Sequence, residues 1–562
     1  MIGSGAQKSG YGPRIARQNG RGRAWLAVVP LAFLAVFFAY PVASIIATGL
    51  APQGRLDLSV FSRVLTDPVL AGVAWFTIWQ AAVSTVLTFL VALPGAYVVA
   101  RYDFPGRGLV RAAATVPFVL PTVVVGSAFL ALLGPASPLG GMGLQHTIWA
   151  ILLAHVFYNY AVVLRTVGGM WSHLDPRLEE AVRVLGASRW RAFREVTLPL
   201  LRPALAAAGS LVFLFTFTSF GVILILGGPR FATLEVEIYR QTAQLLNLPV
   251  AAALAMVQLA GVFLLLLAYS RYQERRAVEQ RLRPARETAR RPRGPRQWLI
   301  VVGNLAAMVL LLGVPLLVLV ERSFATPGGY GLAFYRALGT SRRGSTLFVP
   351  PVEAIRNSLA FATGAMLIAL GVGLMAAVVV AYRRGGRERS ARLLDGLLML
   401  PLGTSAVTIG FGFLISLDEP PLDLRTSPLI IPIAHALVAV PFVVRSVVPV
   451  LRSIDRRLRE AASVLGASPR RVWREVDLPI ISRAALVGAG FAFAVSLGEF
   501  GATLFIVRPD FPTLPVAIFR FLGQPGPLNF GQAMAASTIL MAVTAAAILA
   551  IERLRVGRIG EF

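Results

Sequence analysis

The sequence predicts an all-α membrane protein with about twelve transmembrane helices, arranged as two parallel repeats of six helices. Three observations support this prediction. Of the 562 residues, 56% are hydrophobic and 14% are charged, which is the composition of a membrane protein rather than of a large soluble one. Apolar runs long enough to cross a hydrocarbon core about 30 Å thick recur along the chain. A charged segment at residues 175–199 returns at 455–479, so the second half of the chain repeats the first.

The apolar runs predict six spans in each half. In the first half they are residues 24–51, 68–100, 112–145, 147–164, 203–229 and 241–270. In the second half they are residues 297–320, 357–382, 396–417, 427–444, 484–507 and 530–551. Prolines within these runs, such as Pro117, Pro121 and Pro401, are expected to bend helices.

The charges of the connecting loops predict the orientation in the membrane. The loop that carries Arg101, Arg107 and Arg111 is basic, and so is the repeated segment, whereas arginines and aspartates balance at 55–67. By the positive-inside rule the basic loops face the cytoplasm, and both termini lie on the same side. Because six is an even number, the halves enter the membrane in the same direction, and a pathway is expected at the seam between them.

The predicted organisation has five parts. A cytoplasmic tail at residues 1–23 precedes a six-span half at 24–270, and a second half at 297–552 precedes a tail at 553–562. Residues 271–296 join the halves and hold ten arginines against three glutamates. This stretch is expected to be a cytoplasmic linker, and a solvated tether is preferred over a lipid-headgroup site.

The repeated segment is predicted to form two short helices joined at a glycine. Of its 25 positions, 16 are identical between the copies. Asp175 can cap the first helix, Gly186 can close it in the left-handed conformation, and Ser188 can cap the second. Pro199 is expected to end that second helix. The second copy has the same features, at Asp455, Gly466, Ser468 and Pro479.

One face of the first helix is apolar in both copies, so each copy offers a docking face. The stripe consists of Leu178, Ala181, Val182 and Leu185, matched by Leu458, Ala461, Ala462 and Leu465. Glu180 and Glu460 lie beside it. An amphipathic helix at the membrane surface is the alternative interpretation.

The pattern Glu-Ala-(Ala/Val), three residues, Gly, nine residues, Val-x-Leu-Pro occurs twice at identical spacing. It resembles the EAA loop of ABC-importer permeases, and two such loops in one chain resemble a fused permease of the thiamine and ferric iron importer type. We therefore name residues 175–199 and 455–479 the EAA segments. The resemblance covers nearly the whole chain and implies the type I permease fold. It also implies that the EAA helices contact an ATPase subunit through Glu180, Ala181, Gly186, Glu460, Ala461 and Gly466.

The same resemblance implies the partners and the location. A separate ABC ATPase dimer would bind ATP and Mg, an extracytoplasmic binding protein would deliver the substrate, and the chain would lie in the cytoplasmic (inner) membrane. The stretches FTSFGVILILGGPRFATLEVEIY and FPTLPVAIF are more similar to the thiamine group. Thiamine or thiamine phosphate is the expected substrate, and ferric iron or another small solute or oxyanion remains an alternative.

Several function classes are disfavoured by the residues themselves. The chain has no cysteine, and its one lysine, Lys8, does not stand in a Walker A loop. No nucleophile–base pair or metal-ligand cluster is recognisable, so no catalytic residue, metal site or cofactor is expected in this chain, which is not predicted to be an enzyme. The net charge of +27 follows from the positive-inside rule, and no nucleic-acid partner is expected. A secondary transporter is the alternative from another class, but it does not explain two EAA segments.

Few ionisable groups lie within the predicted spans. Glu499 is the strongest candidate for the substrate pathway, because a carboxylate at membrane depth is costly, and its repeat partner is Ser219. The alternative is an ion pair of Glu499 with Arg508 at the outer rim. His155 and His435 are also repeat partners and are expected to form hydrogen bonds between helices.

Overall fold

The computed structural model describes residues 24–276 (without 53, 136 and 138), 285–341, 347–381 and 388–555 (without 421). The predicted tail at 1–23 and part of the predicted linker (277–284) lie outside these residues. So do residues 556–562 of the predicted C-terminal tail and Arg383, Arg384 and Arg387 of a basic loop. Nearly all regular secondary structure of the described residues is helical, and the predicted fold class is confirmed.

The helices of the first half are α1 (Ala24–Leu34), α2 (Tyr40–Leu50), α3 (Ser59–Thr66), α4 (Pro68–Arg101), α5 (Arg107–Val119), α6 (Thr122–Leu133), α7 (Ile148–His173), α8 (Pro176–Val184), α9 (Arg189–Ala192), α10 (Leu198–Phe217), α11 (Gly221–Leu226), α12 (Leu234–Ala243) and α13 (Leu248–Arg276). A 3-10 turn covers Gly140–Met142.

The second half begins after the short helix α14 (Ala285–Thr288). It consists of α15 (Pro295–Met308), α16 (Val314–Phe324), a hairpin of β1 (Ala325–Thr326) and β2 (Gly329–Tyr330), α17 (Ala333–Ala337), α18 (Pro351–Ala381), α19 (Glu388–Gly403), α20 (Ala406–Ser416), α21 (Ile430–Ser453), α22 (Arg456–Val464), α23 (Pro469–Val472), α24 (Leu478–Gly498), α25 (Thr503–Ile506), α26 (Leu514–Leu522) and α27 (Pro527–Arg555).

Ten helices of the described residues are long and apolar enough to cross a membrane, and two bent helix pairs raise the number to as many as twelve. The longest span, α4, shows how local signals set its limits. The carboxylate of Asp67 accepts hydrogen bonds from the Val69 and Leu70 amides at its start, and Pro68 occupies the first turn, where a missing N–H costs nothing. The helix then runs for 34 residues to Arg101.

Two predicted spans are broken helix pairs rather than single helices. The run at 112–145 folds as α5 and α6, bent by 99°, and the run at 396–417 folds as part of α19 with α20, bent by 98°. Leu120 adopts an extended conformation before Pro121, because the proline ring disfavours the α conformation of the preceding residue. At the second break the Ser405 hydroxyl accepts hydrogen bonds from the Val407 and Thr408 amides and starts α20. Pro121 therefore marks a sharp break, whereas Pro117 and Pro401 lie inside α5 and α19.

Among the described residues, four π-helical turns lie inside the spans, each ending two residues before a proline. They cover Ala35–Ala39 before Pro41, Phe193–Thr197 before Pro199, Val309–Gly313 before Pro315 and Trp473–Asp477 before Pro479. A proline lacks an N–H and its ring collides with the carbonyl four residues earlier. The wider π turn reaches back five residues instead, so the helix continues past the proline.

The first span of each half packs on the other half. Helices α1 and α2 pack on α18 and α20, and α16 packs on α6. Each of the two large buried apolar clusters contains residues of both halves. Phe500 packs among residues of the first half in one cluster, and Leu34 packs among residues of the second half in the other. The seam between the halves is therefore deeply buried.

The described end of the predicted linker is docked and is not a solvated tether there. The Arg290 amide donates to the Arg101 carbonyl (3.0 Å), and the Asp103 amide donates to the Arg290 carbonyl (2.9 Å). Thr288 is buried and its hydroxyl donates to the Ser172 carbonyl. These bonds attach residues 288–290, which lead into the second half, to the ends of α4 and α7.

Candidate functional site

The EAA segments fold as two helices joined at a glycine in both halves. The Asp175 carboxylate accepts from the Arg177 amide (3.0 Å), and Asp455 repeats this with Arg457 (2.9 Å). Gly186 has a φ of +92° and Gly466 a φ of +85°. The predicted caps and the left-handed turn are confirmed, because they follow from local backbone chemistry.

The second helix of each EAA segment does not end at the proline. The Ser188 hydroxyl accepts from the Arg191 amide (3.2 Å), as predicted. The chain then passes through the π turn, in which the Leu198 amide donates to the Phe193 carbonyl, and continues as α10. Helices α9 and α10 thus form one continuous helix from Arg189 to Phe217, and the second half repeats it from Pro469 to Gly498. The expectation that Pro199 and Pro479 terminate this helix is wrong, because the π turn accommodates them.

An apolar face is exposed on α8 and on α22. Leu178, Val184 and Leu185 are 49%, 86% and 86% exposed, and their repeat partners Leu458, Val464 and Leu465 are 51%, 86% and 87% exposed. The predicted Glu180, Ala181, Glu460 and Ala461 are also exposed. Val182 and Ala462, which were predicted to belong to this face, are partly buried. Val184 and Val464 are exposed on it instead, and the predicted stripe did not include them. Both copies present the same face, a surface suited to docking.

A polar contact joins the first and second helices of each EAA segment. The acidic residue of this contact lies on the first helix in one half and after the second helix in the other. In the first half the Thr197 hydroxyl donates to the Glu179 carboxylate (3.2 Å). In the second half the Arg459 guanidinium donates to the Asp477 carboxylate (2.7 Å). The same two positions are therefore in contact in both halves, although the acidic residue occupies a different one of them in each half. The contact fixes the angle between the exposed face and the long helix behind it.

We expect Asp477→Thr to lower the free energy of unfolding by about 1–3 kcal/mol, because the largely buried Arg459 loses its carboxylate partner. The double variant Arg459→Glu/Asp477→Thr should recover most of this loss, since it recreates the pair of the first half. Thermal unfolding of the detergent-solubilised protein measures both. Glu475→Gln, which removes an exposed ion pair with Arg471, is the control and should have little effect. Equal losses in the single and the double variant would contradict the exchange.

The helices that follow the EAA segments break at corresponding positions and meet at the seam. Helix α10 ends before Ser219 and Phe220, and α24 ends before Glu499 and Phe500. The rings of Phe220 and Phe500 stack with centroids 5.5 Å apart and an interplanar angle of 27°. These two residues are repeat partners, 280 positions apart, and equivalent residues touch only where the pseudo-twofold axis passes. The stack therefore marks the axis between the halves.

Two further rings extend the stack symmetrically. Tyr239 of α12 lies 5.9 Å from Phe220, and its repeat partner Phe519 of α26 lies 5.5 Å from Phe500, both with edge-to-face geometry. We name Phe220, Tyr239, Phe500 and Phe519 the ring cluster. Edge-to-face and offset contacts are the favourable arrangements of aromatic pairs. The ring cluster lies across the seam at the level of the helix breaks.

Glu499 is buried and its carboxylate is held by several donors. It accepts from the amides of Ala502 (2.8 Å) and Thr503 (3.0 Å) and from the Thr503 hydroxyl. Nε2 of His435 lies 3.2 Å from Oε2. Arg508, the partner in the outer-rim alternative, donates instead to the Arg425 carbonyl (2.8 Å). The carboxylate thus fixes the turn that leads from α24 to α25.

The two histidines join helices at equivalent positions but through different partners. His155 lies between the hydroxyls of Ser84 and Ser219, each 2.9 Å from a ring nitrogen. His435 lies between Ser496 and Thr503, each 2.7 Å away. Both form the expected interhelical hydrogen bonds, and each connects the fourth predicted span of its half to the break where Ser219 or Glu499 stands.

Two buried carboxylates were missed by sequence reasoning. Glu235 and Glu237 of α12 are 1% and 2% exposed. The sequence places them between two predicted spans, where charged residues are expected in solvent. Their repeat partners are Pro515 and Ala517, and this loss of charge between the halves is the signal that was available.

Comparison with known proteins matches residues 92–283 and 369–556 to the family described as "Binding-protein-dependent transport system inner membrane component". A probable ABC transporter permease protein of Sinorhizobium fredii is 26% identical in an alignment of length 573 that covers 96% of this chain and 97% of that protein. The thiamine transport system permease protein ThiP of Brucella abortus is 30% identical over 477 residues, 82% of this chain and 83% of that protein. The sulfate transport system permease protein CysT of Escherichia coli is 31% identical over 229 residues, 39% of this chain and 83% of that protein. Each of the two matched stretches contains one EAA segment.

Proposed function

Because this chain belongs to the family of binding-protein-dependent transport system inner membrane components, with two copies of the family's domain, we propose that it forms the substrate pathway of an ATP-driven importer of thiamine or thiamine phosphate. The match to a thiamine permease along four-fifths of the chain is the observation that carries the substrate. The match to a sulfate permease, confined to 39% of the chain, makes an oxyanion the second candidate.

We propose that the EAA segments couple this chain to an ABC ATPase dimer that binds ATP and Mg. The exposed faces of α8 and α22 are the docking surfaces, with Glu180, Ala181, Glu460 and Ala461 in contact with the ATPase. Gly186 and Gly466 set the turn behind each face. The support is that the two faces are apolar, exposed and equal in both halves.

We propose that the pathway passes between the halves at the ring cluster. Ser219 and Glu499 stand at the helix breaks beside its central stack and shape the passage through their bonds to His155 and His435. An extracytoplasmic binding protein delivers the substrate to the outer side. The closed stack is then the resting state of the pathway.

Uptake into vesicles tests the proposed substrate. The chain is reconstituted with its ATPase and its binding protein, and ATP-dependent accumulation of radiolabelled thiamine is compared with that of sulfate and ferric iron. Thiamine should accumulate above the level of a matched sample with a hydrolysis-deficient ATPase, and sulfate should not. Accumulation of sulfate without thiamine would assign the second candidate.

The halves at 24–270 and 297–552 are proposed to be parallel, with the N-terminus, the linker at 271–296 and the C-terminus in the cytoplasm. Alkaline phosphatase fused at each of these three points should therefore be inactive, because the enzyme matures outside the cytoplasm. A fusion at Gly328, in the hairpin that follows the first span of the second half, is the positive control. Activity of the linker fusion would contradict the parallel arrangement.

A further inference from the structure

Glu235 lies where the two halves meet. Its carboxylate accepts a hydrogen bond from the Gln258 side chain of α13, in the same half. The hydroxyl of Ser405, at the start of α20 in the second half, is also close to this carboxylate, since α12 packs on α20. A carboxylate that bridges the first and the second half is a feature of the seam itself.

A second buried group beside Glu235 has an unused acceptor. Gln258 is 1% exposed, and its Oε1 has no hydrogen-bond partner among the described residues. This oxygen belongs to the amide whose nitrogen donates to Glu235. A buried amide oxygen without a donor is costly, and a carboxylate next to it adds a second electron-rich group. The Gln258 oxygen thus offers an acceptor, beside the carboxylate, for a donor or a positive charge that the described residues do not supply.

The fold does not require this carboxylate. Helix α26 of the second half repeats α12, with Pro515 at the position of Glu235 and Thr538 at that of Gln258. The equivalent helix therefore forms and packs without an acid. A buried carboxylate that the fold can dispense with indicates a role in function.

Aromatic rings lie one helical turn from Glu235. Tyr239 of the ring cluster is four residues further along α12, and its ring also lies 5.6 Å from that of Phe505. The faces of aromatic rings attract cations, and a carboxylate with adjacent rings is the combination that recognises quaternary and aromatic ammonium groups. An anion would meet two acceptors there, because the Gln258 amide nitrogen and the Ser405 hydroxyl already face the carboxylate.

We propose that Glu235, Gln258 and Ser405 form a subsite that recognises the positive charge of an organic cation as it passes the seam, with Tyr239 and Phe220 as its aromatic wall. This inference rests on the proposed function, because it takes the seam to be the substrate pathway. Thiamine, whose thiazolium ring carries a permanent positive charge, has the required chemistry. The sulfate anion does not.

Charge-selective labelling tests the subsite without reference to the transported substrate. The chain contains no cysteine, so Ser405→Cys introduces a single thiol beside Glu235. In the reconstituted complex during ATP turnover, a trimethylammonium methanethiosulfonate should react about tenfold faster than the sulfonate analogue, which corresponds to a modest charge preference. Adding Glu235→Gln should bring the two rates together, and adding Glu237→Gln should leave the preference intact.

Glu237 is a matched control because it lies on the same helix and is also buried. Its carboxylate accepts from Gln241 of its own helix and faces Arg240, which is half-exposed. If Ser405→Cys fails to assemble with the ATPase, Gln258→Cys places the thiol beside Glu235 from α13 of the first half instead. Absence of labelling by either reagent, or a preference that survives Glu235→Gln, would overturn the subsite.

Thiamine uptake gives the second readout. Glu235→Gln should lower uptake about tenfold or more, since a charge-assisted contact is removed, Glu235→Asp should restore part of it, and Glu237→Gln should stay within about twofold of wild type. Wild-type uptake by Glu235→Gln would overturn the subsite. If the wild-type importer takes up no thiamine, the proposed substrate fails, whereas the labelling experiment still decides the subsite.

Discussion

The double variant Gly186→Val/Gly466→Val should insert into the membrane normally but lose transport-coupled ATP hydrolysis by at least about tenfold. Both glycines have left-handed backbones, which cost an L-residue about 1–2 kcal/mol and a β-branched residue more. An added Cβ meets no atom within 4 Å at either position, so the effect comes from the backbone and not from a clash. The turn must change its conformation, and the exposed face it holds is re-aimed. ATP hydrolysis stimulated by the loaded binding protein is the measurement.

Two comparisons make this result specific. Gly72→Val/Gly371→Val changes one exposed helical glycine in each half, again without atoms near the new Cβ, and should leave coupling unchanged. Gly186→Asn/Gly466→Asn should retain much of the coupling, since asparagine tolerates the left-handed conformation. Normal coupling in the double valine variant would remove the glycines from the proposed mechanism.

Glu499→Gln should lower uptake about tenfold or more while assembly with the ATPase stays normal. The carboxylate accepts from two backbone amides and a hydroxyl, and an amide side chain turns one of its two acceptors into a donor. Bonds to charged acceptors contribute about 1.5–3 kcal/mol each, so the turn beside Phe500 loosens. Vesicle uptake and co-purification of the ATPase are measured on the same preparation.

The repeat supplies the controls for Glu499. Ser219→Ala removes one neutral hydrogen bond, that to His155, and should have a smaller effect. Glu353→Gln removes the carboxylate of a surface ion pair with Arg356 and should have almost none. If Glu499→Gln behaves like Glu353→Gln, the carboxylate is not part of the pathway.

Features that depend on neighbouring residues were predictable. The capping by Asp175 and Ser188 and the left-handed Gly186 follow from side-chain and backbone chemistry within a few residues. The repeat then placed the same features at 455–479. The exposed apolar face was predicted except for Val184, because the periodicity of a nine-residue helix does not fix which edge of the stripe turns inward.

Features that depend on direction and on distant contacts were not predictable. Hydropathy counts apolar residues and does not see the 99° bend between α5 and α6. Pro199 was expected to end a helix, since a proline alone gives no indication that a π turn precedes it. From the sequence alone Glu235 is assigned to a loop. Only the fold brings it next to Gln258 and Ser405, which lie 23 and 170 residues further along the chain.

The π turn before Pro199 keeps a long helix continuous, and such a helix can act as a rigid rod. Because the helix does not stop at the proline, one continuous helix of 29 residues, about 43 Å long, joins the turn at Gly186 to the break beside Phe220. A tilt of about 5° at the end next to Gly186 would displace the other end by about 4 Å, which is one carbon–carbon contact distance. The second half has the same rod, ending beside Phe500. Two opposed rods that pivot by this amount would part the stacked rings by rigid-body leverage, without unfolding a turn or relaying the signal from side chain to side chain.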